Sequence, residues 1–136
     1  MVDRTRSIKS ENVPKLKAAL EHLVQRFDIS PDETHVSFAT FARRAKLHNK
    51  FKDTLYQHAV AVQHLINSTV MRLRRPTRLD KALKLAKERM FTLGNGLRDG
   101  VKAMVLYTDG RSHPKKTVPF YLDVVALKVR TLAIAQ

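Results

Sequence analysis

Residues Val101–His113 read VKAMVLYTDGRSH. A largely apolar run stops at Thr108-Asp109-Gly110, and a basic, polar segment follows. A short apolar run bounded by turn residues reads as a strand buried on both faces, the kind that parallel sheets use. The turn needs the glycine, but it does not need the aspartate. In open parallel α/β sheets, ligands bind at the carboxyl ends of strands, near the point where strand order reverses. Asp109 is therefore a candidate site residue as well as a turn residue.

Working outward from that strand, the chain alternates between the two periodicities. Ser10 is a plausible N-cap for a helix in which Val13, Leu16, Leu20, Leu23, Val24 and Phe27 recur at helical spacing, with Pro14 in the first turn. THVSFATFA (34–42) reads as a strand, and RRAKLHNKFK (43–52) as a polar edge strand pairing back on it through Ala45 and Leu47. A second helix is expected over Thr54–Ile66 with Leu55, Val62, Leu65 and Ile66 on or near one face. A third is expected in RLDKALKLAKERMF (78–91), built on Leu79, Leu83, Ala86 and Met90. GNGLRDG (94–100) is a glycine-rich connection. A helix is expected around Val118–Lys128, and Arg130–Ala135 should be a parallel neighbour of Val101–Tyr107. Strands alternating with helices argue for a largely parallel sheet covered on both faces.

The chain has 136 residues, enough for one domain with a real core. Lys and Arg number 26 against 12 Asp and Glu, a formal charge of +14, which favours anionic partners without choosing among them. There is no cysteine, so disulfides and thiolate metal sites are excluded within this chain. No stretch approaches the roughly 18 apolar residues of a membrane span, and MVDRTRSIKS lacks the apolar core of a signal peptide. The six histidines are scattered without metal-ligand spacing. No Ser/His/Asp arrangement, phosphate loop or acid–base carboxylate pair stands out, so no catalytic residue is assigned. Asn67-Ser68-Thr69 is a glycosylation sequon that reads better as a helix C-terminus.

Two further corners resemble that of Asp109. VDRTRSI (2–8) alternates Asp3, Thr5 and Ser7 just before the first helix, and Thr77 stands immediately before the third. Two carboxylates and three hydroxyls make a hard-oxygen set that suits Mg²⁺ or Mn²⁺ and does not suit zinc, because no His or Cys joins it. A second constellation is basic: Arg72, Arg74, Arg75 and Arg78 lie on the loop carrying Thr77, and Arg111, His113, Lys115 and Lys116 follow Asp109.

In DRTRS (3–7), TRLDKAL (77–83) and YTDG (107–110), taken in that order, the sequence resembles the von Willebrand factor type A domain, in the style of matrilin and collagen VI modules. The resemblance spans nearly the whole chain. It implies a single, partial domain over 1–136: a Rossmann-like, mostly parallel sheet with helices on both faces, lacking the family's first central strand and final helix. It further implies a metal-ion-dependent adhesion site at Asp3, Thr5, Ser7, Thr77 and Asp109, holding Mg²⁺ or Mn²⁺. Departures from the family pattern are Thr5 for serine, Arg4 and Arg6 where small residues are usual, and Leu79-Asp80 after Thr77. Two cations beside the ion would weaken its binding.

The function implied is a non-enzymatic, extracellular adhesion module whose partner, a matrix or cell-surface protein, offers a carboxylate to the ion. Two alternatives stand beside it. One is a metal-independent polyanion binder using Arg72, Arg74, Arg75, Arg111, Lys115 and Lys116, for which sulfated polysaccharide ranks ahead of nucleic acid because only six Phe, three Tyr and no Trp occur. The other is self-association through the gap of the missing strand.

Overall fold

The structure, a computed structural model, describes residues 1–108 and, as backbone, a strand over 129–135. Asp109, Arg111, His113, Lys115, Lys116 and the helix expected around Val118–Lys128 lie outside the described residues. Five strands, β1 (Val2–Asp3), β2 (Ala39–Phe41), β3 (Ala45–Leu47), β4 (Lys102–Thr108) and β5 (Val129–Ala135), form one sheet in the order β3-β2-β1-β4-β5. β1 runs parallel to both β2 and β4, β4 runs parallel to β5, and only β3 is antiparallel, to β2. The expected pairing of the two long apolar strands is present, in register from Lys102 opposite Val129 to Thr108 opposite Ala135.

Where the resemblance implies that the central strand is lacking, the two residues of β1 occupy the centre. Backbone bonds on both sides hold them there: Met1 N to Val105 O at 2.7 Å, Tyr107 N to Met1 O at 3.0 Å and Arg4 N to Phe41 O at 2.8 Å. At the amino-terminal side of β1 a cleft of about 530 Å³ remains, with Phe27, Val36, Phe38, Phe51 and Val101 in its lining.

The helices cover both faces, as period-2 strands with two apolar faces require. Helices α1 (Val13–Val24) and α2 (Ala59–Ser68) pack on each other and bury Leu16, Leu20, Val24, Val62 and Ile66 against Val2 and Phe38. Helix α3 (Leu79–Leu85), continued by a π-turn over Ala86–Met90, buries Leu83, Ala86 and Met90 against Phe41, Met104 and Leu106. None of the helices among the described residues is long and apolar enough to cross a membrane.

Three local expectations differ. Ser10 opens a single 3-10 turn instead of capping α1, and Asn12 precedes the helix. The helix expected over Thr54–Ile66 is broken: Thr54–Tyr56 is a 3-10 turn, His58 is extended and α2 begins at Ala59, which leaves Leu55 68% exposed. Phe27 lies beyond the end of α1 and is 46% exposed. The sequon does end a helix, where the Ser68 and Thr69 hydroxyls donate to Leu65 O.

The β2–β3 hairpin is pinned by polar groups. Asn49 is buried, accepting from Phe38 N at 2.7 Å and donating to Val36 O at 2.8 Å. His48 stacks on Phe38 and its Nε2 hydrogen-bonds Thr40 Oγ1 at 2.8 Å. Gly96, at φ 88°, lies so close to Lys52 that a Cβ would approach it to 2.6 Å, so this turn admits only glycine.

Two outcomes are expected from this packing. Leu83→Ala should lower unfolding free energy by about 2–5 kcal/mol, whereas exposed Val60→Ala should stay within about 0.5 kcal/mol; urea denaturation compares them. Burial first, then Lys46 and Arg4, lowers the His48 pKa from 6.5 to about 4. The unfolded chain takes up this proton more readily, so the contribution to stability is complete above pH 6.5 and is lost as pH falls through about 4. His48→Gln should flatten the pH dependence of the denaturation midpoint across that window.

Candidate functional site

The chain leaves β1 toward β2 on one side and later reaches β4 on the other, so strand order reverses at β1. The crevice outside the carboxyl ends of β1 and β4 is therefore the place where such a sheet can take a ligand. Asp3 ends β1 there with no exposed surface, and Thr108 ends β4 at 7% exposure. A carboxylate so placed must be hydrogen-bonded. Its Oδ1 accepts from Thr5 N at 2.9 Å and its Oδ2 from Thr108 Oγ1 at 3.0 Å. Thr5, also buried, places its hydroxyl 2.7 Å from that of Ser7, which is exposed. The 3-10 turn carrying Ser7 ends at Lys9, whose φ of 58° is one that L side chains rarely adopt.

The loop before α3 is stitched to the same end of the sheet. Thr5 bridges Arg74 in parallel fashion, Arg74 N donates to Arg4 O at 3.1 Å, and Arg78 N donates to Ala42 O at 3.0 Å. Thr77 lies between these stitches, half-buried. Arg78 forms a two-pronged pair with Asp80 at 2.7 and 2.6 Å. Its hydrogen bond holds the Asp80 carboxyl below the usual carboxylate range, against the effect of burial.

Of the expected metal set, the structure brings Asp3, Thr5 and Ser7 into direct contact and lays the Thr77 loop beside them. Asp109, which follows Thr108, lies outside the described residues. In the sequence Thr108 marks only the end of the apolar run, yet its hydroxyl bonds the Asp3 carboxylate. Among the described residues no three His, Cys, Asp or Glu side chains cluster as metal ligands. The donors on hand are one carboxylate and neighbouring hydroxyls. These hard oxygens, one of them opening to solvent at Ser7, fit Mg²⁺ or Mn²⁺.

The basic residues gather differently from expectation. Arg72 and Arg74 line a cleft of about 760 Å³ together with Arg4, Arg43, Arg44 and Lys46. Arg75 is exposed but is not part of that lining. Arg43, Arg44 and Lys46 read in sequence as solvated charge on an edge hairpin. The only signal they carried was the paired arginine beside a three-residue strand.

The family description of the von Willebrand factor type A domain matches residues 1–134. The chain is 22% identical to matrilin-1 of Gallus gallus over 113 residues, which is 82% of this chain and 22% of matrilin-1. It superposes on proximal thread matrix protein 1 from the mussel byssus with a TM-score of 0.89 at 22% identity, over 98% of this chain and 36% of that one. Another structure of the mussel protein, equally similar, holds zinc in its MIDAS motif. The chain thus spans well under half the length of these relatives. With its fold, its order of motifs and the match over nearly all its residues, the chain belongs to the von Willebrand factor type A domain family.

Proposed function

We propose that the chain is a non-enzymatic, extracellular adhesion module, one von Willebrand A domain over 1–136, that binds a matrix protein through a divalent cation at the carboxyl ends of β1 and β4. The observation that carries this reading is the buried Asp3 carboxylate, shared between Thr5 N and Thr108 Oγ1 and set beside the Thr5–Ser7 hydroxyl pair. Asp3, Thr5 and Ser7 would hold the ion from β1 and its turn, Thr77 from the loop before α3, and Asp109 from the position that follows β4 in sequence. When bound, the ion supplies a positive centre that a partner's carboxylate can complete.

The residues favour that outcome. Thr5, Ser7 and Thr77 contribute oxygen without negative charge, so the anionic donors are Asp3 and Asp109 alone, whose two charges at most balance that of the ion. Each Asp3 oxygen has two lone-pair positions, so a single hydrogen bond to an oxygen is compatible with an ion on the same atom. Ser7 gives solvent access. The likeness to matrilin-1 and to a byssus thread matrix protein supports a matrix setting, and the zinc in the latter supports a divalent ion, with zinc among those to be tested.

Binding of Mg²⁺ or Mn²⁺ should be weak, because Arg4 and Arg6 add positive charge beside the site. Titration calorimetry should show heat for the native chain that is lost in Asp109→Ala and reduced in Ser7→Ala, with both variants still unfolding cooperatively. The same heat from the native chain and from Asp109→Ala would remove the mechanism.

A further inference from the structure

Beside the candidate metal site lies a surface whose charged lining is entirely cationic. The turn of the β2–β3 hairpin gives Arg43 and Arg44, and β3 gives Lys46. The segment after α2 gives Arg72 and Arg74 on the opposite wall, and Arg4 enters from the end of β1, its Nη1 donating to Arg72 O at 2.9 Å. No carboxylate lines the cleft. The ion pairs among the described residues, Lys9–Glu11, Arg78–Asp80 and Lys84–Glu88, involve none of these six cations. Gathering like charges without counter-charge destabilises the compact state, and a bound polyanion would relieve that repulsion.

We propose that this cleft binds a sulfated polysaccharide segment, with its sulfate esters bridging the Arg43–Arg44–Lys46 wall and the Arg72–Arg74 wall and meeting Arg4 between them. A guanidinium fork matches a tetrahedral oxyanion through two parallel hydrogen bonds. The hydroxyls of Ser68 and Thr69, which also line the cleft, donate to Leu65 O and keep acceptor lone pairs for sugar hydroxyls. Single-stranded nucleic acid fits less well because bases need aromatic platforms. The one aromatic ring in the lining, His48, is already stacked on Phe38.

The test compares two triple variants that remove equal charge from exposed positions: Arg43→Ala/Arg44→Ala/Lys46→Ala in the cleft, and Lys15→Ala/Lys50→Ala/Lys52→Ala outside it. Binding of a heparin fragment is measured against salt with chelator present, so that failure of the metal site leaves the assay untouched. By analogy with counterion release from DNA, the cleft triple should reduce the log–log salt slope by about two to three, and the outer triple by less than about one. Saturation of the native chain should also raise the His48 pKa from about 4, as the anion offsets Lys46 and Arg4; its ring resonances report this. Equal slopes for the two triples, an unmoved His48, loss of binding in chelator, or tighter binding of DNA of matched charge would each overturn the proposal.

Discussion

Burial of the Asp3 carboxylate is the constraint on which the rest of the arrangement depends. The centre of the sheet rests on two residues, Val2 and Asp3, and only the first is apolar. A desolvated carboxylate is costly unless its oxygens are bonded. Thr5 N meets that demand from the turn after β1, and Thr108 Oγ1 meets it from the end of β4. These bonds draw the carboxyl ends of the two strands together and fold the chain back at Thr5. That turn in turn receives Arg74 and the loop carrying Thr77. The geometry of the site is thus largely a by-product of satisfying one buried charge, and removing that charge would alter sheet and site together.

Much of the architecture could be read from periodicity. The 3.6-residue beat of Leu16, Leu20 and Val24 and that of Leu83, Ala86 and Met90 mark helices whose buried faces are the expected ones. The apolar run ending at Thr108 is a strand with a parallel neighbour, but only its Met104, Leu106 and Thr108 face is buried, while Val105 and Tyr107 are half-buried and Ala103 is exposed. The readings that missed did so where spacing alone does not decide. Leu55, Val62 and Ile66 share a face only if the helix is continuous, and the extended His58 interrupts it. Phe27 continues the stripe of α1 in sequence, but the helix ends before it. β1 is too short to carry a periodic signal at all. It is held by the backbone groups of strands about 40 and 105 residues away, partners that local pattern cannot supply.

The site was legible in part for the same reason. Asp3, Thr5 and Ser7 are neighbours along the chain, and their alternation announces a turn rich in oxygen donors. The hydrogen bond from Thr108 spans 105 residues and became visible only through the topology. The basic cleft was the least legible feature. Arg43 and Arg44 look like ordinary solvated charge on a hairpin, and Arg72 and Arg74 like a basic loop. Their convergence follows from β2 and the Arg4–Arg74 stitch standing side by side. Of the basic residues expected to act together, Arg72 and Arg74 line a cleft with the hairpin, while Arg75 does not.

The Asn49 clamp bears on how that cleft adapts. By bonding both Phe38 N and Val36 O, and with His48 stacked beneath, it makes the β2–β3 hairpin one stiff unit. The facing wall, residues 69–74, has no ladder of its own and is tied at its far end through Arg74 and Arg4. One jaw is therefore a bonded ladder, and the other an irregular segment anchored by Thr69, the buried Met71 and the Arg4 bonds. If the cleft takes a sulfated chain as proposed, the spacing of Arg43, Arg44 and Lys46 along the laddered jaw would set the rhythm of charges it accepts.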